Sequence, residues 1–192
     1  MTYQTIQTLE ELEALYPTRP GPAVLAADAE ADRILPEYRT VIERSRFVVI
    51  TTSGPNGIDV SPRGGEAGFV VVEDEHTLLL PDLSGNNRID SMRNLLADPR
   101  VGLLFMVPGL GESLRAQGTV AIDRSPGLRR RFEDNGKVPH CVWVIRIQSI
   151  FVQGPRAAVR GRLWESTGRD APRMRRLIDD VVVFLRKRVG RA

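Results

Sequence analysis

Between residues 46 and 154 the hydrophobic residues follow the two-residue period of β-strands, and this pattern constrains the fold more than any other feature. Short sequences rich in Gly, Asn, Asp and Pro separate the apolar runs and predict tight turns. Strands that follow one another through short turns pair in antiparallel fashion, so we predict at least six strands that close as a small barrel. Alternating βαβ units are absent from the pattern. The apolar runs cover residues 46–52, 58–64, 68–72, 76–81, 100–108, 113–123 and 141–154.

Helices are predicted on both sides of this β-region and within it. Residues 8–16 form a helix with Thr8 as N-cap and Glu11 three positions later, as in a capping box. Residues 34–45 form a second helix, with Pro36 near its first turn. The buried face of this second helix is predicted to consist of Tyr38, Val41 and Ile42.

Three further segments complete the predicted secondary structure. Residues 125–132 are expected to form a short helix, and residues 157–164 a further short strand or extended segment. Residues 171–189 are expected to form a helix, because their apolar residues recur at intervals of three and four. The basic residues in its last turn complement the helix dipole, which accounts for them without a nucleic-acid partner.

The composition is that of an ordinary globular protein. The 192 residues are 42% hydrophobic and 27% charged, and no run approaches the roughly 20 apolar residues of a membrane helix. The N-terminus lacks the basic start and apolar run of a signal peptide, and Cys141 is the single cysteine, so a cytoplasmic location is expected. The pI of about 9.5 comes almost entirely from arginine, which suits the binding of phosphate and carboxylate groups.

Several kinds of catalytic site are not indicated. The two histidines, His76 and His140, lack the spacing of metal ligands, so no metal is expected. No Walker motif, nucleophile elbow or dinucleotide fingerprint is present. Cys141 opens an apolar strand, where packing is the expected role.

Two stretches suggest a bound phosphorylated cofactor. "SPRGG" at 61–65 combines a hydroxyl, a guanidinium and two glycines that allow close approach of a ligand; a β-turn is the alternative. In "DLSGNNRIDSMRNLL" at 82–96, Asn87 is a possible N-cap with Asp90 three residues later, and Arg88 lies beside the first helical N–H groups. A capped helix with no ligand is the alternative here. The predicted buried face of this helix consists of Ile89, Met92 and Leu96.

The order of these motifs resembles a known family. "SPRGG", then "GFVVVEDEHTLLLPD", "GNNRIDSMRNLLADPRVGLLFMVPG" and "ESLRAQGTVAI" resemble the pyridoxamine 5′-phosphate oxidase-like family of FMN-binding split barrels, in its bacterial subgroup of uncertain substrate. The resemblance implies a mainly β protein with α-helices (α+β), built as a six-stranded antiparallel split β-barrel of the FMN-binding type with flanking helices. It implies an N-terminal helical extension (1–37), an FMN-binding split-barrel domain (38–165) and a C-terminal helix packed on the barrel (166–192).

The resemblance also implies which residues contact FMN. Residues of the "SPRGG" strand lie along the flavin, the end of the strand before the helix supplies backbone contacts, and Arg63 and Arg88 bind the phosphate. The strand after "PGLGE" faces the cofactor across a homodimer, and a C-terminal arginine and tryptophan lie near the flavin. The implied cofactor-binding residues are Ser61, Pro62, Arg63, Gly64, Leu80, Pro81, Asn86, Asn87, Arg88, Arg115, Gln117, Arg160 and Trp164.

The chain departs from the vitamin B6 oxidase in two places. Asn87-Arg88 supplies one cation where that enzyme has an arginine-lysine pair, and the C-terminal substrate-binding arginine and histidine are not visible. Residues 152–158 read "VQGPRAA" where relatives in the subgroup often read "HCPKA". These departures make FMN, and not pyridoxamine phosphate, the expected bound molecule. FMN is expected as cofactor, while the substrate stays unassigned.

The function implied is FMN-dependent oxidoreduction of a small molecule, with hydride transfer at the flavin and no protein acid or base assigned. The flavin is expected at the interface of a homodimer, with no nucleic acid or membrane as partner. Three alternatives stay open: a flavin-binding protein without turnover, a deazaflavin or haem in place of FMN, and a small barrel that binds nucleic acid.

Overall fold

The computed structural model describes residues 2–16, 30–83 and 88–165 of the chain. Residues up to Pro155 form one compact unit, and residues from Arg156 form a second. All the strands described below belong to the first unit. None of the helices in the described ranges has the length and hydropathy needed to cross a bilayer.

One antiparallel sheet contains all seven strands, in the order β2-β1-β5-β6-β7-β4-β3. The mainly β, antiparallel prediction is confirmed, and 100–106 is an interior strand as expected. The pattern predicted at least six strands and seven are present; the count differs from the six strands that the family resemblance implied, because the short segment 71–74 forms an edge strand that pairs with 77–82. The strands are β1 (Phe47–Gly54), β2 (Gly57–Gly64), β3 (Val71–Asp74), β4 (Thr77–Asp82), β5 (Arg100–Met106), β6 (Ser113–Asp123) and β7 (Cys141–Gln153).

The sheet is not closed by backbone pairing. β2 and β3 are its two edges, and among the described strands they do not pair with each other. One face of the sheet carries the core, because alternate residues of each strand point to the same side. The largest fully buried side chains on the strands are Trp143, Phe105, Ile50, Leu78, Leu114, Ile145 and Ile150.

Helix α1 (Leu9–Leu15) starts as predicted, and helix α2 (Pro36–Arg44) starts two residues later than the predicted 34. The Thr8 hydroxyl accepts a hydrogen bond of 3.2 Å from the Glu11 amide, and Pro36 occupies the first turn of α2. Tyr38 and Ile42 of α2 are buried in the core, with Val41 packed beside them. The amphipathic pattern of α2 therefore attaches it to the sheet.

Helix α3 (Asp90–Ala97) differs from its prediction at its start and in its buried face. Its N-cap is Ile89, so the capping box expected from Asn87 is wrong; Asn87 itself lies outside the described residues. Of the predicted face, Met92 packs against the core, but Ile89 and Leu96 are 41% and 81% exposed. The buried residues are Ser91, Asn94 and Leu95. Polar contacts with the β1–β2 hairpin hold Ser91 and Asn94 inward and turn Leu96 towards solvent.

Asn94 fixes α3 to this hairpin. Its side-chain amide donates hydrogen bonds of 3.3 Å to the Thr52 hydroxyl and to the Gly57 carbonyl. Gly54 makes the close approach possible, because a Cβ at this position would lie 2.8 Å from Asn94 Cγ and 2.9 Å from Asn94 Cα. The helix and the hairpin therefore form one wall of the structure.

Two short helices lie nearer the C-terminus. Helix α4 (Pro126–Arg130) falls within the predicted segment 125–132. Helix α5 (Arg156–Arg160) belongs to the second unit and occupies the first half of 157–164, where a short strand or extended segment was predicted. Ala157 and Ala158 favour a helix more strongly than the alternation that follows them favours a strand. The helix predicted over 171–189 lies outside the described residues.

Candidate functional site

The inner side of β2 is polar, unlike the inner side of its neighbour β1. Asp59, Ser61 and Arg63 pair with Thr52, Ile50 and Val48 of β1, all three of which are buried. Directly paired residues share one face of a sheet, so the three polar side chains face the interior side of the sheet. "SPRG" is thus part of a strand, and the β-turn considered for it is not formed there.

A cleft of about 450 Å³ lies between β2 and the start of α3. It brings together the two stretches that the sequence singled out, because Ser61, Pro62 and Arg63 line it together with Arg88. The remaining lining residues are Asp59, Val60, Asp90 and Ser91. A smaller cleft of about 270 Å³ shares Asp59, Arg88 and Asp90 with it and extends towards Arg93 and Asn94.

Arg88 lies at the exposed end of the cleft, in an ion pair with Asp90. The Arg88 Nε atom donates to Asp90 Oδ2 over 2.9 Å, and Arg93 reaches Asp90 Oδ1 at 3.4 Å. The side chains of Arg88 and Asp90 are 76% and 37% exposed. Exposed pairs of this kind contribute only about 0.2–1 kcal/mol. Asp90 would also keep Arg93 as a partner if the Arg88 guanidinium turned towards a ligand.

The second carboxylate at this end is Asp59. The Ser91 hydroxyl donates a short hydrogen bond to Asp59 Oδ2, and Ser91 itself is buried. Two arginines and two aspartates therefore lie close together at the start of α3. Their charges balance, and they would still balance if Arg88 turned away from Asp90.

Arg63 occupies the more enclosed end of the cleft. It donates from Nη1 to Asp82 Oδ1 over 3.1 Å, and the two side chains are 27% and 12% exposed. The guanidinium carbon lies 5.5 Å from the centre of the Trp143 ring, within the range of a cation–π contact. Removing one partner from a partly buried ion pair costs more than removing one from an exposed pair, so this pair is harder to exchange than Arg88–Asp90.

Two buried donors at this end have no acceptor. Arg63 Nε and Trp143 Nε1 are both inaccessible to solvent and make no hydrogen bond with the described part of the chain. Trp143 is 1% exposed. The guanidinium is therefore fixed on three sides, by Asp82, by the indole ring and by the packing around Nε.

Cys141 lies beside this cluster as a packed residue. It pairs with Asp82 across β7 and β4, and its thiol lies 3.9 Å from the Met92 sulfur. Burial, and then the negative charge of Asp82, raise the pKa of the Cys141 thiol. A protonated, buried thiol agrees with the packing role expected from the sequence.

Several other predicted site residues lie elsewhere. Leu80 and Pro81 are in β4 directly before Asp82, and Leu80 is buried opposite Trp143. Arg115 and Gln117 are exposed on β6, on the face opposite Leu114 and Ala116. Of this group, Arg115 lies over the Phe151 ring at 5.1 Å.

The other four residues of the predicted site lie outside the described part of the first unit. Asn86 and Asn87 lie outside the described residues. Arg160 and Trp164 belong to the second unit, in α5 and the turn after it. Their contacts with a cofactor stay predictions.

Asp82 and Trp143 were missed by the sequence reasoning, as were Asp59 and Ser91. Asp82 is a charge at the end of the apolar strand "TLLLPD", and Trp143 is a large residue with a polar N–H inside a buried strand. The Asp82 carboxylate and the Trp143 N–H each indicate that a polar partner is needed in the fold. The partner could not be named, because Arg63 is 19 residues from Asp82 in sequence.

Comparison with known proteins identifies the family. The family model for pyridoxamine 5′-phosphate oxidase matches residues 34–159, well over half of the chain. The chain belongs to the pyridoxamine 5′-phosphate oxidase family. The matched region contains every strand of the sheet and both stretches that line the cleft. No curated protein has significant sequence similarity to this family member.

Solved structures share the fold of this chain at low sequence identity. HupZ from Group A Streptococcus is 18% identical, with a TM-score of 0.51; the match covers 63% of this chain and 94% of HupZ. A candidate pyridoxamine 5′-phosphate oxidase from Lactobacillus delbrueckii is 17% identical, with a TM-score of 0.50 and coverage of 63% and 95%. At this identity the likeness extends to the fold and not to the ligand or the reaction.

Proposed function

We propose that the chain binds FMN in the cleft between β2 and α3 and uses it to oxidise or reduce a small molecule. The proposal depends on one observation: Ser61, Arg63 and Arg88 line the same cleft of about 450 Å³. Ligand sites of this size hold drug-sized molecules, and a few convergent polar groups usually orient them. Membership of a family named for an oxidase supports the same conclusion.

The donors in the cleft fit a flavin nucleotide. Arg63 and Arg88 offer guanidinium groups, and Ser61 and Ser91 offer hydroxyls. Arg88 lies at the start of α3, where free backbone N–H groups favour an anion. The Arg88–Asp90 pair is exposed and therefore weak, and Asp90 keeps Arg93 as a partner if Arg88 turns to a phosphate.

The protein supplies binding and orientation in this proposal. FMN, when bound, supplies hydride transfer. Neither His76 nor His140 lines the cleft, and its two carboxylates are held by Ser91, Arg88 and Arg93. Arg63, fixed by Asp82 and Trp143, is the group that would hold the ligand in a constant orientation.

A homodimer is the proposed assembly. The outer face of the sheet carries one apolar row that crosses five strands and contains a single charge. Ile58 and Val60 on the neighbouring edge are 73% and 61% exposed. A second copy on this face would cover the apolar side chains and would bring Arg115 and Gln117 towards the flavin of its partner. The row consists of Pro62, Val49, Leu104, Arg115 and Phe151.

Flavin binding without turnover is the alternative function, and a deazaflavin is the alternative cofactor. The first is favoured by the lack of a histidine or an unengaged carboxylate in the described lining of the cleft. Steady-state oxidation of NADH or NADPH by the flavin-loaded protein distinguishes an enzyme from a binding protein. A deazaflavin would be distinguished by its own absorption spectrum.

The visible spectrum of the purified protein tests the cofactor. We expect a yellow protein that releases FMN on denaturation, or an apoprotein that binds added FMN with quenching of the flavin fluorescence. A colourless protein that fails to bind FMN would overturn the proposal. Arg88→Gln is expected to weaken FMN binding about 10- to 100-fold, as for a lost hydrogen bond to a charged group. Arg44→Gln, in the last turn of α2, is the matched control.

A further inference from the structure

We infer that Asp82 is a positioning residue, which fixes Arg63 as a donor to an uncharged oxygen of the bound flavin and not to its phosphate. The inference rests on the proposed function, since it assigns the parts of the same ligand to the two ends of the cleft. The acceptor would be a carbonyl oxygen of the ring or a hydroxyl of the ribityl chain. Arg88 is then the arginine that recognises the phosphate.

The Arg63–Asp82 pair should persist when a ligand binds. The Asp82 side chain is 12% exposed, and within the described residues Arg63 is its only ion-pair partner. A ligand that took Arg63 away would leave a buried carboxylate without a counter-ion, which is strongly unfavourable. Arg88 differs, because Asp90 is more exposed and has Arg93 as a second partner.

The Arg63 side chain is held in place and cannot turn towards a distant phosphate. Its Nε atom is buried, and its guanidinium carbon lies 5.5 Å from the centre of the buried Trp143 ring. Only the part of the guanidinium that lines the cleft is available to a ligand. The side chain therefore acts as a donor of fixed direction.

The negative charge of Asp82 distinguishes between a phosphate and an uncharged oxygen as the acceptor for Arg63. Arg63 and Asp82 together are neutral, and a phosphate on the same guanidinium would lie close to the Asp82 carboxylate. Repulsion between the two anions would offset the attraction to the guanidinium. An uncharged oxygen gains the hydrogen bond without this repulsion. The chemistry of the pair thus favours a carbonyl or hydroxyl acceptor.

Binding of FMN and riboflavin, which differ only in the phosphate, tests the assignment. Arg88→Gln should lose about tenfold or more in FMN affinity, while riboflavin affinity changes little. Asp82→Asn and Arg63→Gln should each weaken both ligands by the same factor, about tenfold, and leave the ratio of the two affinities unchanged. A merely structural role for Asp82 would lower both affinities only as far as the variant unfolds, so each affinity is measured under conditions in which urea unfolding shows the variant to be fully folded.

A second variant keeps the test valid if Asp82→Asn unfolds. Arg63→Lys retains the charge opposite Asp82 but loses the planar fork of donors, and it should weaken both ligands equally. Inorganic phosphate should still compete with FMN in this variant and should fail to compete in Arg88→Gln.

Three outcomes would overturn these assignments. If Asp82→Asn or Arg63→Gln reduces FMN binding and spares riboflavin, Arg63 contacts the phosphate. If Asp82→Asn tightens FMN binding, Asp82 competes with the ligand and does not position Arg63. If the unaltered protein binds neither FMN nor riboflavin, the proposed function itself fails.

Discussion

Arg63 on β2 donates a hydrogen bond of 3.1 Å to Asp82 on β4, and so joins two strands that have β1, β5, β6 and β7 between them in the sheet. The contact shows that the sheet curls until its first strand meets its sixth. The curl places the polar inner side of β2 opposite the end of β4. The same pair that draws the sheet together also lines the cleft proposed to bind the cofactor.

Loss of one member of this pair should destabilise the fold. We expect Asp82→Asn to lower the free energy of unfolding by about 1–3 kcal/mol, because Arg63 is then partly buried without its counter-ion. A double-mutant cycle with Arg63→Met, followed by urea unfolding, should give a coupling energy of similar size. Glu43→Gln, which removes the exposed pair with Arg39, serves as the control and should change stability by less than about 0.5 kcal/mol. Purely additive effects of Asp82→Asn and Arg63→Met would contradict the coupling.

Removing Asp90 should strengthen binding of a phosphorylated ligand. Asp90 engages both Arg88 and Arg93, so Asp90→Asn removes the negative charge that these two guanidinium groups share at the start of α3. We expect FMN to bind about 3- to 10-fold more tightly, with riboflavin unaffected. Asp98→Asn, which removes the partner of Arg100 at the other end of the helix, should leave both affinities unchanged. Weaker FMN binding in Asp90→Asn would show that the carboxylate orients Arg88.

Gly54 should tolerate no side chain. An added Cβ would lie 2.9 Å from the Asn94 Cα atom, which belongs to the backbone of α3 and cannot move aside. We expect Gly54→Ala to cost about 1–3 kcal/mol of stability, measured by thermal or urea unfolding. Gly127→Ala provides the comparison, since a Cβ at Gly127 meets nothing within 4 Å. Equal stability of the two variants would mean that α3 can move away from the hairpin.

The outer face of the sheet should govern the oligomeric state. Leu104 lies in the middle of the apolar row, so a charge at this position would be buried by a second copy without a partner. Leu104→Arg is expected to convert a dimer into a monomer of 21.4 kDa in sedimentation experiments. Leu96→Arg adds the same charge at an exposed position of α3 and should leave the dimer intact. A dimer that survives Leu104→Arg must use another surface.

The Cys141 thiol should make stability depend on pH in the alkaline range. Because burial and then Asp82 raise the pKa of this thiol, its contribution is complete below its ordinary value of about 8.5 and is lost as the pH rises through the folded-state pKa. The free energy of unfolding should therefore fall more steeply between about pH 8 and 10 in the unaltered protein than in Cys141→Ala. Parallel curves for the two proteins would show that the thiol titrates equally in both states.

Local patterns were sufficient to predict the strands, the helix start at Thr8 and, to within two residues, the helix start at Pro36. Each depends on residues close together in sequence: alternation, a turn, an N-cap or a proline. The buried face of α3 was predicted correctly only at Met92, for the opposite reason. Asn94 is buried because Thr52 and Gly57 lie beside it, and no property of the helix sequence reveals those partners.

The site was predictable only in part. "SPRGG" and Arg88 were singled out separately, and the fold brings them to one cleft. The sequence could not show that Asp82 engages Arg63 or that Asp90 engages Arg88, since both depend on how strands and loops meet in space. Charge balance in the cleft is therefore a property of the tertiary structure.

The unpaired edge of β2 has a consequence for how the protein opens. Where β2 meets β4, side chains alone hold the described strands together, whereas β5, β6 and β7 are held by ladders of backbone hydrogen bonds on both sides. Amide protons of β2 should therefore exchange with solvent through small local openings, at a lower free energy than those of β6. A ligand bound to Arg63 and Arg88 would hold β2 in place beside β4. Slower exchange in β2 would then report that the cleft is filled, whatever the chemistry of the occupant.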